Sequence, residues 1–305
     1  MAKQGKIRTL LEYGAAKSIF AVIGSLPANQ AISLGTVLGR IGYLLAGNLR
    51  RTAETNLKLA FPEMTAERRF EIIRGCFESL GRELGLFSKF SRSSKPLVLS
   101  VLEPQGLENL KNYKKNGRGR IFFTAHFGAW ELTSYAVGLL EEPFSFLVRK
   151  IDNDMIERMV DRRRTSGGNQ TLDKQSAART MLRILRSGGS VGLLPDLNTL
   201  DDEAIFVDFF GVPAATNYLM AKIALRTQSP IIPVFAPWDA HRKKFLLQIQ
   251  PAIQVELTGD EAEDVKRVTQ KFTNVIEEQI RRYPEQWLWV HKRWKTRPPG
   301  HPSVY

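Results

Sequence analysis

From residue 97 onward the chain alternates short, strongly apolar runs with longer amphipathic stretches, and this alternation narrows the fold more than any other feature. The runs are LVLSVLE (97–103), RIFFTA (120–125), FSFLVR (144–149), SVGLLP (190–195), PIIPVFA (230–236) and FLLQIQ (245–250). Each is too short for a core helix and rich in residues that favour strands. Between them, residues 129–140, 152–164, 175–186 and 217–226 carry a helix-like pattern, and a longer helix is predicted over 260–282. Strands that alternate with helices predict an α/β fold: a three-layer α/β/α domain around a mainly parallel sheet.

Residues up to about Phe90 read as helix throughout, with Thr65 placed to cap a helix that carries Phe70, Ile73, Phe77, Leu80 and Leu84. The stretch SRSSKP (91–96) then marks a change of texture. The expected division is a helical segment over 1–90 and a catalytic domain over 91–305. The apolar stretch Tyr13–Leu26 contains Lys17 and runs into Pro27 rather than a small-residue cleavage site, so a cleavable signal peptide is not expected. A clean membrane span needs about 20 mainly apolar residues. Ala31–Gly47, which carries Arg40, does not supply it either. Both segments suit helices lying in a bilayer interface, with Lys3, Lys6, Arg8, Arg50 and Arg51 near anionic headgroups. The alternative is a hairpin buried against the rest of the chain. Gly35 and Gly39 fit a membrane dimer motif, and equally any close helix contact.

Lys and Arg number 44 against 31 Asp and Glu, a formal net charge of +13. Such an excess favours a polyanionic partner: nucleic acid, an anionic membrane surface or an acidic protein. The one cysteine, Cys76, excludes an intramolecular disulfide and a cysteine-based zinc cage. It falls within a helical pattern and reads as a packed residue rather than a nucleophile. The tail QWLWVHKRWK (286–295) mixes Trp287, Trp289 and Trp294 with basic residues. That mixture suits a membrane–water boundary or stacking on nucleic acid.

The sequence has no G-x-S-x-G elbow, no Walker A loop, no G-x-G-x-x-G fingerprint and no H-E-x-x-H pair. Of the four histidines, His126 alone stands where a strand ends, a glycine permits a turn and a helix begins, within RIFFTAHFGAWELTSY. Ligand sites of open α/β sheets gather at such strand ends. Glu131, on the first turn of the following helix, could orient the imidazole; so could Asp196, at the end of another predicted strand.

His-x-x-x-x-Glu after an apolar strand resembles the signature of glycerolipid-type acyltransferases. HFGAWE is similar in particular to the bacterial lipid A biosynthesis acyltransferase family, the late lauroyl and myristoyl transferases, whose relatives include phosphatidylinositol mannoside acyltransferases. NLKLAFPEMTAERR (56–69), LPD (194–196), FFGVPAAT (209–216) and PEQWLWVHKRWK (284–295) follow in the family's order. The resemblance implies an O-acyltransferase in which His126 is the general base, Glu131 the motif acid and Asp196 a further acid of the relay. It also implies substrate-binding roles for Arg149, for Arg164 in the basic run 162–164, and for Phe209, Phe210 and Gly211 along the acyl channel. The implied donor is acyl carrier protein, with acyl-CoA as the alternative; the acceptor is a lipid or glycolipid hydroxyl. No metal or organic cofactor and no nucleic acid is implied, and the place is the cytoplasmic face of the bacterial inner membrane. Two loops depart from the family pattern. RKIDND (149–154) lacks two prolines common in relatives, and Leu197 replaces a frequent Gln after LPD. A glycerophospholipid or a phosphatidylinositol mannoside therefore stays open as acceptor beside a lipid A precursor.

Overall fold

The computed structural model describes residues 5–90, 95–114, 119–173, 177–200 and 204–305. Lys3, most of SRSSKP and the expected helix start at Gln175 lie outside the described residues. The chain opens with helices α1 (Lys6–Ser25), α2 (Ala28–Leu45), α3 (Gly47–Ala60) and α4 (Ala66–Phe87). Thr65 does cap α4, accepting the Arg68 N–H at 3.3 Å. Helices α2 and α4 run antiparallel in close contact, with Ala31 against Gly85, Gly35 against Gly81 and Gly39 against Phe77. A Cβ on Gly35, Gly39 or Gly81 would drive into a backbone carbonyl oxygen of the facing helix. The small residues at four-residue spacing thus serve an intrachain contact, as close helix packing requires.

A short helix α5 (Lys95–Val101) and strand β1 (Leu102–Gln105) follow, then α6 (Leu107–Lys114) and β2 (Arg120–Phe123). LVLSV, expected as a strand, is therefore helical, and the strand begins at Leu102. Next come α7 (Trp130–Leu140), β3 (Ser145–Val148), α8 (Asp154–Thr165), β4 (Gln170–Asp173), α9 (Ala177–Arg186) and β5 (Ser190–Leu193). A two-stranded hairpin, β6 (Ala204–Phe209) and β7 (Val212–Asn217), turns through Phe210 and Gly211, both with positive φ. The chain ends with α10 (Leu219–Thr227), β8 (Ile231–Phe235), β9 (Trp238–Asp239), β10 (Lys244–Ile249), α11 (Glu261–Arg282) and a 3-10 turn at Pro284–Gln286.

The main sheet has the order β1-β10-β8-β2-β5-β3-β4, with β9 paired to β10. All neighbours from β8 to β4 are parallel; β10 is antiparallel to β8. Alternate residues of the central strand β2 serve opposite cores. Ile121 and Phe123 pack with α9, α10, α11 and much of α4, while Phe122 packs with α5, α7 and the end of α4. Two apolar cores on the two faces of one sheet make the three layers. Helix α4 contributes to both cores, so the N-terminal helices and the sheet share their interior.

Helix α1 is joined less deeply. Asn153 donates to the Thr9 carbonyl at 3.0 Å, and the Arg163 guanidinium sits 4.5 Å over the Phe20 ring. Ile7, Leu10, Leu11 and Val22 of α1 and Leu44 and Leu45 of α2 are exposed. Among the described residues no single helix is long and apolar enough to cross a membrane. Helices α2 and α3 satisfy length and composition only together, across a bend of 89°.

Candidate active site

The C-terminal ends of the adjacent parallel strands β2 and β5 open on a cavity of about 690 Å³. Two segments reach into it from those ends. Beyond β2, Thr124 still bonds to β5 through its N–H on the Leu193 carbonyl, and Phe127 closes a tight turn on Ala125. Gly128 then adopts φ 57° and donates to the Gln286 carbonyl at 2.8 Å. A side chain there would meet the Ala236 carbonyl, so the turn that presents His126 requires glycine. Helix α7 starts at once. Its second residue, Glu131, donates its N–H to the Glu83 carboxyl of α4 at 2.8 Å, a cap supplied by another helix.

Asp196, beyond β5, has a side chain wholly out of solvent, whereas His126 is 24% exposed. One carboxylate oxygen faces His126 Nδ1 at 2.9 Å. The other accepts the His126 backbone N–H and the Trp287 indole N–H, each at 2.9 Å. Burial pushes the Asp196 pKa up, but the neighbouring His126 and these hydrogen bonds outweigh it and hold the carboxyl below its usual value. An ionised, immobile carboxylate on Nδ1 fixes the ring orientation and leaves Nε2 as the nitrogen free to accept a proton.

Of the two acids the sequence offered, Asp196 makes the contact with His126 and Glu131 turns elsewhere. Glu131 forms a forked ion pair with Arg164 of α8: Nε lies 2.9 and 3.1 Å from the two oxygens, and Nη2 also donates. Both residues line the cavity, as does the exposed Arg149 at the end of β3. The Glu83 carboxyl beneath this pair is pushed well above its usual range by burial and by the Glu131 charge.

Phe209, Phe210 and Gly211, expected along an acyl channel, do not line the cavity. Phe209 packs on Trp287 and Trp294, and Phe210 on Phe61 and Trp289, while Gly211 sits in the hairpin turn. The tail also departs from expectation. Trp287, Trp289 and Trp294 are at most 1% exposed, so they form neither a membrane belt nor a stacking platform. Arg293 is buried as well. It donates to the Ala215 carbonyl at 2.6 Å and to Thr216 Oγ1, and burial lowers its pKa to about 10.

His291, which the sequence placed only among the basic residues of the tail, lines the same cavity as His126. Burial pushes it down to about 4 against the opposing pull of Asp196. Its spacing from His126 gave no sign of this, because the two are brought together only by the packing of the tail across the ends of β2 and β5.

The bacterial lipid A biosynthesis acyltransferase model matches residues 3–296. The chain belongs to that family. Members similar to it include the Escherichia coli K12 lipid A biosynthesis palmitoleoyltransferase, 29% identical over 92% of this chain and 90% of that protein. The lauroyltransferase of the same organism is 28% identical over 93% and 91%, and its myristoyltransferase 22% identical over 88% and 82%. As a member of the lipid A acyltransferase family the chain is an O-acyltransferase, and an acyl-transfer site must bring a hydroxyl and an acyl carbonyl together beside a base.

Proposed function

We propose that the chain moves a fatty acyl group from an acyl thioester to a hydroxyl of a lipid A precursor, with His126 as the general base. The observation that carries this reading is the Asp196–His126 pair, held by a buried carboxylate and opening on the cavity. Nε2 of His126 takes the proton of the acceptor hydroxyl as its oxygen attacks the thioester carbonyl. The tetrahedral intermediate then collapses, breaking the C–S bond, and the thiolate recovers the proton from the imidazolium. No acyl-enzyme is needed. Cys76 is buried, its Sγ donates to the Trp287 carbonyl, and burial pushes its pKa to about 12, so it is no nucleophile.

Glu131 and Arg164 shape one wall of the site, and Arg149 offers an exposed guanidinium to a headgroup phosphate. The donor is acyl carrier protein, an acidic partner for a chain of net charge +13. The enzyme works on the cytoplasmic face of the inner membrane, a reading supported by the exposed apolar side chains of α1 and α2 with Lys6, Arg8 and Lys17 among them.

The test compares wild type with His126→Ala, using labelled acyl carrier protein and offering lipid A precursor, glycerophospholipid and phosphatidylinositol mannoside side by side. Wild type should label the lipid A precursor, and the folded variant should lose transfer by about 10²–10⁴-fold. A variant as active as wild type would end the general-base assignment, and labelling of another lipid would replace the acceptor.

A further inference from the structure

We propose that His291 is a second catalytic residue of this acyl transfer, an uncharged imidazole whose Nδ1–H donates to the thioester carbonyl oxygen as that oxygen gains negative charge. The inference rests on the acyl-transfer reading and adds to it the group that receives the developing oxyanion.

The argument begins with the proton's place on the ring. Nε2 of His291 accepts the backbone N–H of Asn198 at 3.3 Å. An amide N–H can only donate, so Nε2 carries the lone pair and the proton sits on Nδ1. Nδ1 has no hydrogen-bond partner among the described residues, and it is not one of the buried, sealed polar atoms. Its N–H is therefore available to a molecule in the cavity that His291 lines with His126.

The two histidines are also held in fixed relation by the backbone. Leu288 donates its N–H to the His126 carbonyl at 3.0 Å, and His291 donates its own to the Leu288 carbonyl at 3.1 Å. Asn56, fully buried, clamps the same segment through hydrogen bonds to the Trp289 and His291 carbonyls at 2.6 and 2.7 Å. A donor that needs no rearrangement when charge develops is what oxyanion stabilisation requires.

Neutrality matters as much as position. Burial is the largest influence on His291, opposed by Asp196 and reinforced by His126, Arg293 and Lys295. A second imidazolium in this cavity would oppose proton uptake by His126; a neutral donor does not. Arg164 is less suited to the task, because its Nε and Nη2 are engaged by Glu131.

In the proposed step the acceptor proton moves to His126 Nε2 and the new C–O bond forms. The carbonyl π pair moves onto oxygen, where it meets the His291 N–H. Collapse restores C=O and breaks C–S, and the thiolate takes its proton from His126. His291 gives up no proton.

The experiment uses the full chain with lauroyl-loaded acyl carrier protein and lipid A precursor, comparing wild type, His291→Ala and His291→Gln. Folding is checked by circular dichroism. For His291→Ala kcat should fall by about 10²–10³-fold with KM within about threefold, as for removal of one oxyanion donor. His291→Gln, which keeps an amide N–H, should recover roughly tenfold of that loss. Independently, ¹⁵N imidazole NMR of wild type should show the Nδ1–H tautomer at His291 throughout pH 8 to about 5. A folded His291→Ala with unchanged kcat, a loss confined to KM, or an Nε2–H tautomer overturns the inference and leaves the acyl-transfer reading standing. A wild type that transfers no acyl group overturns both.

Discussion

Replacing Asp196 by Asn probes the hydrogen-bond logic of the site at its buried end. One carboxylate oxygen accepts two N–H groups, from the His126 backbone and the Trp287 indole, and the other faces His126 Nδ1. In the amide only the carbonyl oxygen can stand where those two donors converge. The NH₂ group must then face Nδ1, which forces the ring proton onto Nε2. That tautomer cannot accept the acceptor's proton. Transfer should fall by most of the 10²–10⁴-fold due to a general base, near the loss of about 10⁴ seen when a triad carboxylate becomes an amide. Stability should suffer less, by about 1 kcal/mol, since both N–H groups keep an acceptor. Asp196→Ala instead orphans two buried donors at about 1–3 kcal/mol each. The pH response carries a second signature. The native carboxyl titrates below its unfolded value of about 3.9. Its contribution to stability is thus complete above that value and is lost as pH falls through the native one. Urea midpoints of Asp196→Asn should therefore change less with pH than those of wild type on the acid side of about pH 4. Steady-state transfer of a labelled acyl group reads the catalytic effect. A folded Asp196→Asn enzyme with kcat within about tenfold of wild type would refute the tautomer argument.

Glu83→Gln keeps the acceptor that caps α7 but cannot ionise. The native Glu83 carboxyl titrates well above 4.5, so its stabilising effect is complete below that value and is lost as pH rises toward the native one. The variant's stability advantage over wild type, read from urea midpoints, should therefore grow from about pH 4.3 upward, and a difference that is flat with pH would place a charge on native Glu83. Gly81→Ala tests the α2–α4 contact by sign. An exposed helix would gain about 1 kcal/mol from alanine, whereas here the new Cβ meets the Gly35 carbonyl and should cost about 1–3 kcal/mol. A raised thermal midpoint would mean that the two helices do not pack as described.

What could be read from residue order was the part governed by local pattern. RIFFTA, FSFLVR, SVGLLP, PIIPVFA and FLLQIQ all contain strands of the sheet, because a strand buried on both faces is a short apolar run. LVLSV was misread because such a run does not distinguish strand from buried helix, and Pro96 near its start suits a first helical turn. The β6–β7 hairpin passed unnoticed for a different reason. Its two-residue turn carries φ 58° at Phe210 and 75° at Gly211, and a phenylalanine in the left-handed region is no turn signal. The choice between two partners for His126 was not legible. Glu131, five residues on, and Asp196, seventy residues on, were equal candidates until the sheet order set β2 beside β5.

The tail shows why composition misled where packing decides. Tryptophan beside lysine and arginine has the same composition at a membrane surface, on a nucleic acid or inside a core, and only the partners distinguish them. Here the rings pack in a core, and Trp287 and the tail backbone are tied to polar groups of the site. The Gln286 carbonyl accepts the Gly128 N–H, Leu288 donates to the His126 carbonyl, and Trp287 donates to the same Asp196 oxygen that receives the His126 N–H. Arg293 fixes the hairpin that follows the Asp196 loop through Ala215 and Thr216. Without residues 286–293 that carboxylate oxygen would lose its indole donor and the burial supplied by Trp287, and the turn holding His126 would lose two backbone hydrogen bonds. In a low-dielectric interior each such hydrogen bond is strengthened, and each donor left without its acceptor is costly. The Asp196–His126 pair is therefore held by the C-terminal segment as much as by the two strands that carry it, with Trp287 both covering the carboxylate and donating to it.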